Sequence, residues 1–430
     1  MTNTSIIILA AGKGTRMKSS LPKVLHKISG FEMLYYSILE ASKLSDDITV
    51  VLSHQADLVQ SEMEKYFSNI KFHTQDMENF PGTGGAVMGI TPKHEKTLVL
   101  NGDMPLIEAS ELQTLLDDAT LTMSVLELDS ADGYGRVVVE DGNVKKIVEQ
   151  KDCNEDELKI NIANAGIYCF DSKFLLDSLP KLSNDNNQAE YYITDLVEMA
   201  ITQNLSVKPI TVSEENFKGV NSKFDLANAE IIHQNRIKER FMKTGVLMRL
   251  PDTTYVEFGV EIEGESIIEN NVTLLGSTKL NNAHIKTGTV VEDGELINSS
   301  AGPMARIRPN SVLIDSHVGN FVETKKAKLN GVKAGHLSYL GDCEIDSGSN
   351  IGAGTITCNY DGINKHKTII GKNVFIGSNT QLVAPVTLED DTMVAAGSTI
   401  TNNVKSGDLA LSRTKQKSIA GFFHKFFSKK

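Results

Sequence analysis

The chain has 430 residues, 40% of them hydrophobic and 23% charged, the balance of a globular protein too long for one ordinary core, so two or three domains are expected. A formal net charge of -12 argues against a nucleic-acid partner, which demands a basic face, while a local cationic pocket for a small phosphorylated ligand stays open. The cysteines lack CxxC spacing and disulfide-scaffold density, and the apolar N-terminal run is too short for a signal peptide or membrane span, so a reducing, cytoplasmic setting is expected.

In chain order, the run Ser5-Ile6-Ile7-Ile8 predicts a buried strand, followed by LAAGKGTRM from Leu9 to Met17 and then by Leu21-Pro22-Lys23. Residues 48–52, 70–72 and 97–100 read as further strands, separated by amphipathic segments at 33–43 and 58–67 that are long enough for crossover helices. This alternation predicts an α/β domain with a mostly parallel, Rossmann-like sheet and ligands at the carboxyl ends of its strands. Residues 137–139, 144–148 and 167–170 add later strands. Residues 224–243 hold no proline or glycine and carry Ile231, Ile232, Ile237 and Phe241 among charges, which predicts one long helix. The expected division is 1–222, a linker helix over 223–245, and 246–430.

Beyond residue 246 the rhythm changes. Ile262, Ile268, Leu274 and Leu280 fall at every sixth position, Ile285, Val291 and Ile297 repeat the spacing in a shifted frame, and Ile345 and Ile351 return to it. Ile370, Ile376, Leu382, Leu388, Val394 and Ile400 then hold it without a slip. A period of six predicts a parallel β-helix with coils of roughly 18 residues, each sixth side chain pointing into a narrow core. Gly352, Gly371 and Gly377, each directly after a core residue, are expected at tight corners. The repeat is interrupted by NFVETKKAKLNGVKAGHLSYLG (320–341) and TCNYDGINKHKT (357–368), both expected as surface loops that carry function.

The glycine-rich turn is neither a Walker A motif nor a GxGxxG fingerprint. It offers free backbone N–H groups, Arg16 beside them, and Lys23 held by Pro22, a set suited to the phosphates of a nucleotide. LVLNGDMPLI places Asp103 at the carboxyl edge of a strand, where it reads either as a hard-oxygen ligand for Mg²⁺ or as a turn or N-cap aspartate.

LAAGKGTRM with Pro22-Lys23 resembles the signature of sugar-nucleotide pyrophosphorylases, and NGDMPL resembles their metal-binding turn. GYGR (133–136), IVEQKD (147–152), NAGI (164–167), EYYITD (190–195) and GVN (219–221) follow in that family's order. With a hexapeptide β-helix carrying KAGHLSYLGD and NIGAGTITCNYDG, the likeness narrows. The chain resembles the family of bifunctional N-acetylglucosamine-1-phosphate uridyltransferases/glucosamine-1-phosphate acetyltransferases over nearly its whole length.

The resemblance implies a left-handed β-helix, a homotrimer with no transmembrane segment, Mg²⁺, and UTP, sugar 1-phosphates and acetyl-CoA as substrates. It implies that Leu9, Ala10, Ala11 and Gly12 cradle the nucleotide, that Arg16 and Lys23 offset phosphate charge, and that Gln75, Gly82 and Thr83 contact uracil. Asn101 and Gly102 would lie on the ribose side, Asp103 and Asn221 would hold Mg²⁺, and Gly135, Glu149 and Asn164 would bind the sugar. For acetyl transfer it implies His336 as general base with Glu323 to orient it, Arg308 and Lys325 on the sugar phosphate, and Tyr339 and Asn350 on the sugar. Ala353, Asn359, Tyr360, Ser378, Ala396 and Arg413 would line the acetyl-CoA site, with Cys358 beside it as packing. Two departures touch the uracil-reading loop and the ribose side. The family's Gln-Leu-Gly-Thr-Gly-His reads Phe80-Pro81-Gly82-Thr83-Gly84-Gly85, with two extra residues after Gln75, and Asn101 stands where tyrosine is frequent. The rival expectations are a nucleotidyltransferase whose coil is only a stalk, and a non-catalytic sugar-nucleotide-binding subunit.

Overall fold

The structure is a computed structural model that describes residues 3–131, 134–148, 150 and 153–428. It divides into two compact units, 1–233 and 234–430.

The N-terminal unit is built on a nine-stranded sheet. In chain order its strands are β1 (Thr4–Leu9), β2 (Ile48–Leu52), β3 (Lys71–Thr74), β4 (Lys96–Asn101), β5 (Leu121–Glu127), β6 (Arg136–Glu140), β7 (Asn143–Val148), β8 (Ile162–Asp171) and β9 (Val207–Thr211). The spatial order is β9-β5-β8-β4-β1-β2-β3, with the β6–β7 hairpin attached to β8. β1 to β4 run parallel, joined by helices that include α1 (Met33–Ser42) and α2 (Ala56–Met63), while β8 lies antiparallel between β4 and β5. The central strands are apolar on both faces because helices cover both: Ile6, Ile8, Val50 and Leu98 enter one core, Ile7, Val51 and Val99 the other. β5 and β9 have no counterpart in the sequence reading. In β5, Thr122 and Ser124 interrupt the apolar run, yet both are buried, their hydroxyls donating to the carbonyls of Leu115 and Ile167.

α3 (Lys223–Lys243) crosses the boundary between the units. Its first part belongs to the N-terminal unit, where Glu230 accepts from the backbone and hydroxyl of Ser29. Its second part belongs to the C-terminal unit, where Ile237 and Phe241 join the coil's core and Gln234 closes a two-way amide bridge to Val256.

The C-terminal unit is a parallel β-helix. One face runs through the strands at 247, 267, 284, 300, 317, 333, 350, 375, 393 and 409, a second through 255, 273, 290, 306, 323, 339, 356, 381 and 399, and a third through 261, 279, 295, 312, 328, 344, 368 and 386. The six residues from Ile370 to Ile400 all point inward and are buried, as the period demands. Three details differ from the sequence expectation and one agrees with it. In the shifted frame the inward residue is Leu296, and Ile297 faces out. Residues 320–341 are not an inserted loop: Glu323–Asn330, Lys333–His336 and Tyr339–Ile345 are coil strands, and the period is masked because Thr324 and Ala334 take inward positions beside Leu329 and Leu340. The second interruption does leave the coil at Asn359 and returns at Thr368, its backbone turned by Asp361, which accepts from the N–H groups of Ile363 and Asn364 and from His366. Lastly, Gly352, Gly371 and Gly377 serve close approach, not an unusual φ: a Cβ on Gly377 would stand 2.4 Å from the Ala396 nitrogen of the next coil.

Candidate active sites at the sheet edge and on the coil

In the N-terminal unit, Leu9 ends β1 directly opposite Asn101 at the end of β4, so the glycine-rich turn and Gly102-Asp103 emerge together at the carboxyl edge of the sheet. The Gly102 N–H donates to the Leu9 carbonyl at 2.9 Å and locks the two turns. Between them lies a cleft of about 430 Å³ lined by Leu9, Ala10, Ala11, Gly12, Lys23, Gln75, Gly82, Thr83, Asn101 and Asp103, with Lys13, Val24, Met77, Ala86 and Glu190 completing its wall. The two glycines of the turn do different jobs. A Cβ on Gly12 would meet nothing, so that position opens onto space for a ligand, whereas Gly14 sits at φ +59° with Lys23 Cβ 2.6 Å from where its own would be.

Lys23 is the pivot of the cleft. Its ammonium pairs with the Asp103 carboxylate and donates to Asn221 Oδ1 at 2.8 Å; Arg16 donates to that same oxygen at 2.8 Å. The backbone of Val220 donates to the Asp103 carbonyl at 2.9 Å and fixes the GVN turn there. A carboxylate and an amide oxygen thus converge on one cation, a hard-oxygen donor pair that fits Mg²⁺, which takes one or two protein ligands and leaves the rest to phosphate and water.

The loop at 80–85 is organised from beneath. The Gln75 amide donates to the carbonyls of Phe80 and Gly82 at 2.9 Å each, and Pro81 and Gly84 exchange backbone hydrogen bonds with Tyr191. Thr83 Oγ1 accepts from Ile193 N–H at 3.1 Å. This packing accounts for the departure at Gly85: a Cβ there would lie 2.1 Å from the Phe80 carbonyl oxygen, so the lengthened loop leaves no room for a side chain. Asn101 donates to the Gly166 carbonyl at 3.0 Å and therefore braces β8. Asn164 is braced as well, its amide donating to Tyr168 while its oxygen accepts from Gly166 N–H. The Gly135 carbonyl accepts from the Asn164 N–H. Glu149, with Gly133, Lys151 and Asp152 of the quoted motifs, lies outside the described residues.

On the coil, register does the positioning. Ala334, Ile351, Ile376 and Val394 are stacked partners on one face. Two places beyond each stand His336, Ala353, Ser378 and Ala396, which therefore form one column along the edge where this face turns into the next. His336 is exposed, and Arg413 closes the far end of the column by donating to the Ala396 carbonyl at 2.9 Å. Across the adjoining face, Arg306 pairs with Glu323 and Glu323 with Tyr339. At its other edge, Arg308 and Lys325 occupy the same place on consecutive coils. Arg308 donates to Glu323 at 2.7 Å, which raises the guanidinium pKa further. Among the described contacts Glu323 has no bond to His336, so its orienting role does not appear; its partner is Arg308. The Lys325 pKa is lowered, first by Lys365 of the 359–367 loop, then by loss of solvent and by Arg308, as the cations crowd one spot. Lys365 had no signal in the sequence beyond lying in an interruption of the repeat.

Asn350 sits on the neighbouring face opposite Lys333. Asn359 is buried and donates to Asp342 at the root of the loop, while the exposed Tyr360 folds its hydroxyl onto the Gly362 carbonyl. Cys358 is half-buried, and burial raises its pKa, as expected of a packing thiol.

Residues 6–160 match the MobA-like NTP transferase domain, and residues 367–402 match six repeats of the bacterial transferase hexapeptide. Along its length the chain is 71% identical to the bifunctional protein GlmU of Aliarcobacter butzleri (strain RM4018), covering 100% of both chains. It is 59% identical to the protein of that name from Wolinella succinogenes, over 99% of each chain, and 53% identical to that of Campylobacter fetus subsp. fetus, over 100% of this chain and 99% of the relative.

Proposed function

The chain belongs to the family of the bifunctional protein GlmU, and on that premise we propose that the cleft at the sheet edge is its uridylyl-transfer site and the flank of the coil its acetyl-transfer site. It is a transferase with both activities: it acetylates glucosamine 1-phosphate with acetyl-CoA and transfers UMP from UTP to N-acetylglucosamine 1-phosphate, forming UDP-N-acetylglucosamine. In the proposed division of labour 1–222 carries uridylyl transfer, 223–245 links, and 246–430 carries acetyl transfer.

For uridylyl transfer, the sugar-phosphate oxygen bonds to the α-phosphorus of UTP as the bond to the bridging oxygen of pyrophosphate breaks. Both reactants are anions, so the chain's contribution is to position them and to offset charge. The open backbone at Gly12 receives the nucleotide, Lys23 and Arg16 face its phosphates, and the Gln75-pinned loop holds the base. Asp103 and Asn221 would hold Mg²⁺, which supplies further neutralisation of the phosphates.

For acetyl transfer, His336 takes a proton from the sugar amine as the nitrogen bonds to the thioester carbonyl, and the thiolate of CoA leaves. Arg308 and Lys325, joined by Lys365, hold the phosphate; Tyr339 lies between them and His336, and Asn350 faces the sugar. Ala353, Ser378 and Ala396 form the wall along which acetyl-CoA lies, with Asn359, Tyr360 and Arg413 at its margins. This reading rests on one observation above the others: His336 shares a coil edge with that column, and the cations stand across one face from it. A homotrimer, with neighbouring copies closing this open flank, is part of the proposal.

Two assays test it separately. Pyrophosphate release from UTP, Mg²⁺ and N-acetylglucosamine 1-phosphate should be lost in Lys23→Ala and kept in His336→Ala; thiol release from acetyl-CoA and glucosamine 1-phosphate should show the reverse. A His336→Ala enzyme with full thiol release would remove the histidine from its role.

A further inference from the structure

The stretch after Gln75, longer by two residues than the resemblance predicts, is a closed turn. Asp76 organises it. Its carboxylate accepts from the N–H groups of Glu78 and Asn79 at 3.1 Å each and from the Asn79 amide at 2.7 Å, and its carbonyl accepts from Phe80 N–H at 2.8 Å. The Gln75 amide pins the far end through the carbonyls of Phe80 and Gly82, so the turn is held at both ends. Of residues 76–81, Met77 alone lines the cleft. Val24 and Ala86, apolar side chains of the same wall, pack into the cores beneath. Met77 belongs to neither core and is 40% exposed.

Place in the sheet decides which part of a nucleotide Met77 meets. The turn follows β3, at the edge of the order β4-β1-β2-β3, whereas Asp103 follows β4. Three strand spacings, about 14 Å, therefore lie between the turn and the Lys23–Asp103 pair assigned to the phosphates. Base and phosphates then occupy opposite ends of the cleft. We propose, on the reading of this cleft as the uridylyl-transfer site, that Met77 is a base-contacting residue: its thioether lies on the face of the uracil ring while the loop at 80–85 meets the ring's edge. An unbranched, polarisable side chain suits this contact, because sulfur packs favourably against aromatic rings. Every base has such a face, so Met77 contributes affinity for the base and leaves the choice among bases to the loop.

Kinetics of pyrophosphate release and methyl NMR, both on the full-length enzyme, test this. Met77→Ala should raise KM for UTP about 3- to 10-fold, with kcat, KM for N-acetylglucosamine 1-phosphate and inhibition by tripolyphosphate, which carries no base, all unchanged. Met77→Leu, which keeps the apolar bulk, should stay within about twofold of wild type. In protein with methyl-labelled methionine, bound UTP should give a nuclear Overhauser contact between a uracil ring proton and the methyl signal that Met77→Leu lacks. The proposal is overturned if Met77→Ala leaves KM for UTP at the wild-type value, or if no such contact forms with UTP bound. It is also overturned if tripolyphosphate inhibition weakens in step with UTP, which would make the side chain a prop of the turn. Wild type that releases no pyrophosphate from UTP would instead overturn the assignment of the cleft, and the base contact with it.

Discussion

Asp103 and Asn221 share one cation: the Lys23 ammonium pairs with the carboxylate and donates to the amide oxygen at 2.8 Å. The two residues proposed for the metal are thus both engaged by the side chain proposed for the phosphates, the carboxylate as an ion pair and the amide oxygen as a hydrogen-bond acceptor. Asp103→Asn should therefore cut Mg²⁺-dependent pyrophosphate release by about 10²–10³-fold while leaving thiol release from acetyl-CoA intact. Equal loss of both activities would mean that the carboxylate holds the fold instead.

Gly12 and Gly14 should separate ligand approach from backbone strain. Gly12→Ala adds a methyl to open space, so its unfolding midpoint should match wild type while KM for UTP rises. Gly14→Ala forces a side chain onto φ +59° against Lys23, at a cost of about 1–3 kcal/mol. Denaturant unfolding beside UTP saturation curves reads both effects.

Crowding of Lys325 by Lys365 and Arg308 gives acetyl transfer a pH signature. A lysine with a lowered pKa loses its proton earlier than an ordinary lysine as pH rises. KM for glucosamine 1-phosphate should consequently climb on the alkaline side, starting below the usual lysine range. Lys365→Ala removes the chief repulsion and should move that rise to higher pH, although its phosphate grip is weaker at every pH. A profile whose position ignores the substitution would show that the ammonium groups do not interact.

In the coil, Ile376→Ala should cost about 2–5 kcal/mol, the usual loss for emptying a rigid core site. Gly377→Ala should be harmful without touching that core, since its Cβ would meet the next coil's backbone at 2.4 Å. Thermal unfolding of both variants measures this.

The architecture was legible wherever one physical requirement repeats. A narrow core must be filled at every sixth position, and that alone revealed the coil from 370 to 400. Legibility failed where another force satisfied the same requirement: Thr122 and Ser124 bury hydroxyls through carbonyl partners and so hid an interior strand, while Thr324 and Ala334 made regular coil look like a loop. In the cleft, motifs supplied the residues but not their bonds. That Asn101 and Asn164 spend their amides bracing β8, and that Glu323 holds Arg308, follows from contacts distant in sequence. Glu190 was visible only as part of a motif, and Lys365 reached the cationic edge through the fold of a protruding loop.

Arg308 and Lys325 are neighbours only because one circuit of the coil separates them. Chain length between them is consequently a catalytic parameter: removing a single residue between 309 and 324 would turn all that follows partway round the axis and part the pair, even with every side chain retained. The excursion from Asn359 to Thr368 is free of this constraint, since it leaves and rejoins the stack without setting its phase. Insertions that keep the enzyme working should gather there and be purged from the turns before it.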